Sequence, residues 1–131
     1  MSNGVRPAFD ETDVPAIAYL IGEMANRGRL LGRDKEDVRH HLQGFVVYEK
    51  AGRVVACGEL RIHDPKRMAE VWSWAVEPSL EGFGYEVAVM IYLIKEARRL
   101  GVENVYTLSD RLKALGQLGF APATAEERFM L

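Results

Sequence analysis

One segment, residues 69–99, constrains the fold of this chain more than any other. Its first part, 69–77, is rich in β-branched and aromatic residues, which predicts a strand that ends at the following proline. A loop with Gly82 and Gly84 comes next, and residues 85–99 contain neither Gly nor Pro, which predicts a helix. The first amides of a helix lack intrahelical partners and lie at the positive end of its dipole. A strand, a glycine loop and a helix in this order therefore predict an anion site.

The composition is typical of a small globular protein. The chain has 131 residues and a formal charge of −2, which predicts one domain over residues 1–131 and no basic surface for nucleic acid. Its longest apolar run, 87–94, is far shorter than the roughly 18 residues that a membrane span needs, and the first residues lack the apolar stretch of a signal peptide. Cys57 is the single cysteine, which excludes an internal disulfide and a cysteine metal cluster. We therefore expect a cytoplasmic protein with no metal, nucleic-acid partner or membrane partner.

The remaining segments alternate between strand and helix patterns. Thr12 is the expected N-cap of an amphipathic helix over 13–26, and Asp34 that of a short helix over 35–43. Strands are predicted at 5–9, 45–49, 54–63, 104–108 and 128–131, with another short helix at 111–118. The strands before and after the long helix are expected to pair in parallel. The predicted fold is α/β (α+β), with one mixed sheet and helices on both faces.

The glycine loop resembles that of the GNAT acetyltransferases. Members of that superfamily follow a core strand with V-x-P and then with R/Q-x-x-G-x-G/A at the start of a long helix, and Val76-Glu77-Pro78 and Gly84 fit this pattern. The resemblance implies the GNAT fold, a mostly antiparallel sheet with a central splayed parallel strand pair, and a loop that holds the pyrophosphate of acetyl-CoA. Two positions depart from the pattern, with Glu81 in place of Arg or Gln and Glu86 in place of Gly or Ala. Both put an acid near the expected pyrophosphate, although the Glu86 side chain can turn outward.

Other segments are similar to one subgroup, the acetyltransferase domain of N-acetylglutamate synthase and its short stand-alone relatives. These proteins carry an arginine before the second helix, as at Arg33, and a Cys-x-x-Leu element in the next strand, as at Cys57-Gly58-Glu59-Leu60. Their core strand reads A-E-[IV]-x-[ST]-x-A-V, which residues 69–76 match at every fixed position. A Gly-Phe pair follows a short helix, as at Gly119-Phe120. Together these elements cover nearly the whole chain.

The resemblance implies positions for both substrates. Acetyl-CoA is the implied acetyl donor, with its thioester held by backbone groups of the core strand and its pyrophosphate by the glycine loop. The residues implied in coenzyme binding are Trp74, Ala75, Val76, Gly82, Phe83, Gly84 and Tyr85. An acceptor with a carboxylate suits an arginine fork, and the resemblance suggests Arg33 and Arg111, with Arg61 and Ser109 as further contacts. For any one of these arginines, a solvated surface position is the competing interpretation.

Glu70 is the candidate catalytic base, because a carboxylate on the core strand can accept the proton of the attacking amine. Simple strand alternation puts it on one face with Trp72, Trp74 and Val76. Aromatic walls around a carboxyl would raise its pKa toward a useful value. Glu70 can equally form an ion pair with Arg61 or Arg111, and the two roles are compatible.

Two functions fit the sequence. The first is an acetyl-CoA-dependent N-acetyltransferase that acts on the amine of a small molecule, with glutamate or another amino acid as candidate acceptors. The second is a GNAT-fold binding or interaction module that no longer uses acetyl-CoA. The two acids of the loop favour the second, as does the late helix, which has Ala114 and Leu115 where many GNAT enzymes carry a tyrosine proton donor. The oligomeric state stays open, and a homodimer is compatible with the sequence.

Overall fold

The computed structural model describes residues 3–63, 68–109, 112–122 and 128–131. Its helices are α1 (Asp10–Asn26), α2 (Lys35–His40), α3 (Tyr85–Arg99) and α4 (Leu112–Gln117). Its strands are β1 (Gly4–Pro7), β2 (Phe45–Lys50), β3 (Arg53–His63), β4 (Met68–Val76), β5 (Asn104–Leu108), β6 (Ala121–Pro122) and β7 (Arg128–Met130). Short 3₁₀ turns, Leu42–Gly44 and Pro78–Leu80, precede β2 and follow β4. Within these ranges, no helix has the length and apolarity to cross a membrane.

The described strands form one sheet in the order β1-β2-β3-β4-β5-β7-β6. Neighbouring strands pair antiparallel except for β4 and β5, which run parallel because α3 connects them. Helices α1 and α2 contribute to the core on one face, and α3 and α4 to the core on the other. This arrangement confirms the predicted mixed, mostly antiparallel sheet with helices on both faces.

Each face of the sheet has its own apolar core. The first contains Val89, Met90, Leu93 and Ala97 of α3 with Ala56, Val71, Trp74 and Val76 of the sheet. The second contains Val14, Ile17, Leu20 and Ile21 of α1 with Phe45, Val47, Cys57 and Ala75 of the sheet. The helical residues recur every three or four positions, which gives each helix one apolar side. Burying each large aliphatic side chain stabilises the fold by about 1.5–3 kcal/mol, so the sheet is held from both sides.

The sequence predicts that helix α1 begins at residue 13, but in the structure it begins at Asp10. Phe9 is its N-cap residue, and the Asp13 carboxylate accepts a hydrogen bond from the Phe9 amide at 2.9 Å. Arg6 of β1 donates to the same carboxylate at 2.8 and 3.0 Å. The expected Thr12 cap is therefore wrong, because a contact with the neighbouring strand fixes where the helix starts.

Helix α2 agrees with the sequence at its start and differs at its end. The Asp34 side chain accepts a hydrogen bond from the Asp37 amide at 2.9 Å, which confirms the expected cap. The helix ends at His40, and the chain continues through the 3₁₀ turn into β2 rather than as helix to residue 43.

A β-bulge in β4 changes which side chains share a face. Cys57 of β3 pairs with Ala75 and Glu59 pairs with Trp72, so two β4 residues stand opposite one residue of β3. One of the two, Ser73, has a φ of 54°, which few residues other than glycine adopt. The side-chain alternation is therefore interrupted at this point.

The bulge puts Trp74 and Val76 in the core beneath α3, whereas Glu70 and Trp72 line a cleft on the opposite side of the sheet. The expectation that Glu70 shares a face with Trp74 and Val76 is therefore wrong. Of the three residues expected beside Glu70, Trp72 alone lies on the same side of the sheet. The extra residue in β4 moves the side chains after it to the opposite face from the one that strict alternation predicts.

The parallel strands β4 and β5 pair over only part of their length. Their register runs from Met68 opposite Asn104 to Val71 opposite Thr107. The Thr107 hydroxyl donates to the Val71 carbonyl at 3.3 Å near the end of this pairing. Beyond it, β4 continues to Val76 with β3 as its partner in the described part of the sheet. The two strands thus separate just before the bulge, as expected for a splayed pair.

Candidate active site

The glycine loop leads into the uncapped amino-terminal turn of α3. Gly82 and Gly84 have φ values of +90° and +94°, a conformation that glycine adopts without steric cost. Gly84 is the N-cap residue of α3 and has no side chain with which to cap the first amides of the helix. A Cβ atom added to either glycine would meet no other atom within 4 Å, so the space beside the loop is open. This turn can receive an anion at the positive end of the helix dipole.

Glu81, the first residue of the loop pattern, has its charge balanced by an arginine. Its carboxylate oxygens lie 2.8 and 3.1 Å from the two terminal nitrogens of Arg29, which follows α1. This two-pronged contact brings a cation to the loop from 52 residues away in the sequence. The negative charge that the sequence places there is therefore compensated.

Glu86, the second departure from the loop pattern, lies at the start of α3 and is only 4% exposed. Its backbone carbonyl accepts a hydrogen bond from the Trp74 indole at 2.7 Å, which ties the first turn of the helix to β4. The side chain does not turn outward, in contrast to one of the possibilities that the sequence left open. The first turn of α3 therefore carries a buried acid.

A cleft of about 630 Å³ opens where β4 and β5 separate. One wall is the connector between α1 and α2, residues 28–33, and the other is formed by β4 and the end of β5. Polar lining residues are Arg29, Arg33, Asp37, His41, Arg61, Glu70, Ser73 and Ser109. The apolar lining includes Leu30, Leu31, Trp72 and Leu108. The structure thus brings the predicted Arg33, Arg61, Glu70 and Ser109 into one site, whereas Arg111 lies outside the described residues.

Arg33 is the most enclosed cation of this cleft, with a side chain only 6% exposed. Its Nε donates to Asp37 and its Nη1 to Glu59, both at 2.6 Å, and Nη1 also lies 3.0 Å from the Ser73 hydroxyl. Burial alone would lower the pKa of Arg33, but the hydrogen bonds to the two carboxylates outweigh it and raise the pKa above its ordinary value. Its Nη2 is buried and has no hydrogen-bond partner among the described residues. Arg33 is therefore a fixed charge with one remaining donor group.

Glu59 holds this arrangement together, and sequence reasoning did not select it as a site residue. It is 2% exposed, and its two oxygens accept from Arg33 at 2.6 Å and from Arg61 at 3.0 Å. The Arg61 guanidinium also lies 4.1 Å from the centre of the Trp72 ring, a cation–π contact. The sequence offered one signal for Glu59, namely a charged residue within an otherwise apolar strand. Such a residue is rarely buried unless it is paired, so it indicates a charged partner nearby.

Among the described residues, Glu70 contacts His63 rather than Arg61, and its other expected partner, Arg111, lies outside them. Arg61 stands opposite Glu70 in the pairing of β3 with β4, but its guanidinium turns to Glu59 and Trp72. The Glu70 carboxylate instead lies 2.9 Å from Nε2 of His63, and its side chain is largely buried. The ion pair expected between Glu70 and Arg61 is therefore replaced by a contact with His63.

The predicted thioester-holding residues of β4 lie beyond the point where β5 separates. Trp74 and Val76 turn their side chains toward α3, and Ala75 turns toward α1. Because β5 does not pair with this part of β4 in the described sheet, the strand has a backbone edge facing the gap. Over the same described residues, no group of three or more His, Cys, Asp or Glu side chains is placed to hold a metal ion.

Comparison with known proteins agrees with this architecture. Residues 12–120 match the acetyltransferase (GNAT) family. The chain belongs to the GNAT acetyltransferase family. A protein from Mycobacterium tuberculosis, solved in complex with CoA, is 31% identical and superposes with a TM-score of 0.82 over 94% of this chain and 77% of that one. Since the match spans most of both proteins, the GNAT fold applies to nearly all of this chain.

Other relatives are amino-acid acetyltransferases. The one from Neisseria meningitidis serogroup A is 28% identical over 116 residues, which is 88% of this chain and 27% of the relative. The one from Pasteurella multocida is 26% identical over 76% of this chain and 23% of the relative. The N-acetylglutamate synthase of Neisseria gonorrhoeae, solved with coenzyme A and N-acetyl-glutamate, has a TM-score of 0.87 at 23% identity over 99% of this chain and 34% of that one. This GNAT chain thus spans about a quarter of the length of the curated relatives it matches.

Proposed function

We propose that this GNAT chain is an acetyl-CoA-dependent N-acetyltransferase, organised as one domain over residues 1–131, that acetylates the amine of a small substrate. Glutamate and other amino acids are the first candidate acceptors. The observation that carries the proposal is the position of the cleft. It opens where β4 and β5 separate, and the Arg29–Glu81 pair joins its wall to the open turn of α3. A ligand with an anionic group at one end and a reactive group at the other could therefore place the anion at the turn of α3 and the reactive group in the cleft.

The described residues fit the coenzyme at two places. Gly82, Phe83, Gly84 and Tyr85 would hold its diphosphate through backbone amides, since the loop is open and α3 has no side-chain cap. The backbone edge of Trp74, Ala75 and Val76 would hold its thioester end, because the described pairing of β4 with β5 ends at Val71, before these residues. Acetyl-CoA supplies a thioester that is activated toward attack by an amine.

Glu70 would accept the proton that the amine loses as it attacks. The carboxylate lines the cleft next to Trp72 and is held from behind by His63 at 2.9 Å. A hydrogen bond from the imidazole fixes the orientation of the carboxylate before the amine arrives. Proximity and orientation then contribute to the rate because the amine is held next to its base.

Arg33 would bind the carboxylate of an amino-acid acceptor through Nη2, the donor group that no described residue engages. Asp37, Glu59 and Ser73 fix the rest of the side chain, so little rotamer entropy is lost on binding. Arg61 and Ser109 are proposed as further acceptor contacts, and Arg111 keeps its predicted role. The apolar walls would contact the carbon skeleton of the acceptor; one of them is Leu31, which is 82% exposed.

The alternative of a binding module without coenzyme loses part of its support. It rested on two acids in the loop and on the missing tyrosine of the late helix, and one of the acids, Glu81, is paired with Arg29. The missing tyrosine still favours this alternative, and so does Glu86, whose buried position at the start of α3 leaves a carboxylate near the proposed diphosphate site. A measurement of coenzyme binding decides between the two functions.

The first test is binding of acetyl-CoA by calorimetry together with thermal melting. At a hundred times the dissociation constant, the ligand should stabilise the protein by about 2.7 kcal/mol. No heat and no shift in melting temperature at millimolar acetyl-CoA would refute the transferase proposal.

The second test follows thiol release with a panel of amino acids. Glu70→Gln should lower kcat by about a hundredfold or more while the dissociation constant of acetyl-CoA stays unchanged, because the amide cannot take up the proton. Arg33→Lys should raise the KM of a carboxylate-bearing acceptor about tenfold, because the charge remains but the fork is lost. Unchanged kcat in the first variant, or unchanged KM in the second, would remove that residue's assigned role.

A further inference from the structure

The contact between Arg29 and Glu81 connects the two sides of the proposed coenzyme site. The Arg29 amide donates to the Met24 carbonyl at 3.0 Å, so this residue closes the end of α1 and begins the connector along the cleft. Its guanidinium extends to the loop, where Nη2 lies 2.8 Å from Oε1 of Glu81 and Nη1 donates to Oε2 at 3.1 Å. Arg29 also lines the cleft itself. The pair is therefore a bridge between the α1–α2 connector and the turn before α3.

The negative charge of Glu81 would repel a diphosphate, whereas the positive charge of Arg29 would attract it. Glu81 directly precedes Gly82, the first residue of the glycine loop, and stands three positions before Gly84, the N-cap residue of α3. An unpaired carboxylate at this distance from a diphosphate would repel it, whereas a neutral ion pair would not. A guanidinium keeps its charge at all ordinary pH values and presents several N–H donors in one plane, so a group of this kind can contact a carboxylate and a phosphate at the same time.

We propose that Arg29, held in place by Glu81, is the diphosphate-binding cation of this site, delivered from the α1–α2 connector instead of from the loop. Glu81 is then a positioning residue, and it opposes the ligand only when Arg29 is missing. This inference rests on the proposed function, because it concerns how the same coenzyme site is charged. It makes the loop and the connector a single binding unit.

The arrangement predicts an unusual order of variants. Arg29→Ala should raise the dissociation constant of CoA about tenfold or more, because the variant loses a cation beside the loop while the Glu81 carboxylate stays there. Arg29→Ala combined with Glu81→Ala should recover much of this loss and bind more tightly than Arg29→Ala alone. Glu81→Ala alone should weaken CoA binding by no more than about threefold, because the cation remains but is no longer held in place. Arg29→Lys should fall between the parent and Arg29→Ala, since a lysine keeps the charge without the fork.

The experiment is calorimetric titration of each variant with CoA and, separately, with pantetheine, which lacks the diphosphate. All variants should bind pantetheine alike, whereas their CoA affinities should follow the order above and the differences should shrink with added salt. The matched control is Arg39→Ala, which removes a half-exposed arginine of α2 that pairs with Glu11 and Glu36 outside the cleft. Melting temperatures without ligand should change little, because exposed ion pairs stabilise proteins weakly.

The outcomes separate this inference from the proposed function. If the parent binds CoA and Arg29→Ala binds it equally well, the Arg29 assignment is wrong and the transferase proposal stands. If the double variant is as weak as Arg29→Ala, Glu81 does not oppose the ligand when Arg29 is missing, and that part of the inference is wrong. A parent that does not bind CoA at millimolar concentration overturns both proposals. An equal loss for pantetheine would mean that the bridge shapes the cleft rather than binds the diphosphate, which also overturns the inference.

Discussion

Replacing Glu59 with leucine removes the buried carboxylate that Arg33 and Arg61 share. Glu59 is 2% exposed, and its oxygens lie 2.6 and 3.0 Å from the two guanidinium groups. The leucine cannot accept either hydrogen bond, and Arg33 is itself almost fully enclosed. Among the residues that the structure describes, the variant therefore leaves this buried cation with the partly exposed Asp37 as its remaining charged partner.

The expected cost follows from the burial of each partner. Breaking a buried ion pair by removing one member costs about 3–5 kcal/mol, and the lower end applies here because Asp37 remains. The contact with Arg61 adds little, since its side chain is partly exposed and also packs on Trp72. For a chain of 131 residues, a loss of about 3 kcal/mol lowers the melting temperature by about 10 °C.

Thermal unfolding followed by circular dichroism and calorimetry measures this effect. Glu36→Leu is the matched control, because Glu36 is an exposed carboxylate whose loss should change stability by less than about 0.5 kcal/mol. Combining Arg33→Met with Glu59→Leu should restore most of the stability, since the buried cation is removed as well. A drop below about 3 °C for Glu59→Leu, or a double variant as unstable as the single one, would refute the reasoning.

Two further predictions concern packing and pH. A Cβ atom at Gly58 would lie 2.9 Å from Leu93, so Gly58→Ala should destabilise the fold by about 1–3 kcal/mol in chemical denaturation, whereas Gly22→Ala, with open space around it, should not. The Arg33 guanidinium holds the pKa of Asp37 below its ordinary value, so Asp37 stabilises the fold above about pH 4 and loses this contribution as the pH falls through its lowered pKa. Asp37→Asn should therefore melt lower than the parent at pH 7, and the difference should shrink as the pH falls through the lowered pKa of Asp37; a difference that stays constant down this range would contradict this.

Local patterns predicted the parts of the site that depend on local backbone geometry. Pro78, Gly82 and Gly84 marked the end of β4 and the start of α3, because each residue restricts or extends the allowed backbone angles at its own position. The parallel pairing of β4 and β5 followed from the helix between them. These features were confirmed because they need no knowledge of distant partners.

The face of Glu70 could not be predicted in the same way. Strict alternation along β4 would put it beside Trp74, but the bulge at Ser73 inserts one residue relative to β3. No residue type in this stretch predicts the bulge. A positive φ usually indicates glycine, but here a serine, Ser73, has a φ of 54°. Pairing with β3 decides where the extra residue is accommodated, and pairing is a property of two strands.

The sequence by itself determined the order of the elements, the glycine turn before α3 and the candidate cations of the site, because these depend on residues close together in the chain. Only the tertiary structure decided which charges are compensated. Glu81 meets Arg29 from 52 residues away, and Glu59 meets Arg33 from 26 residues away. The physical reason is that a buried or crowded carboxylate keeps its charge only with a partner in contact, and the folded arrangement of distant segments provides that contact.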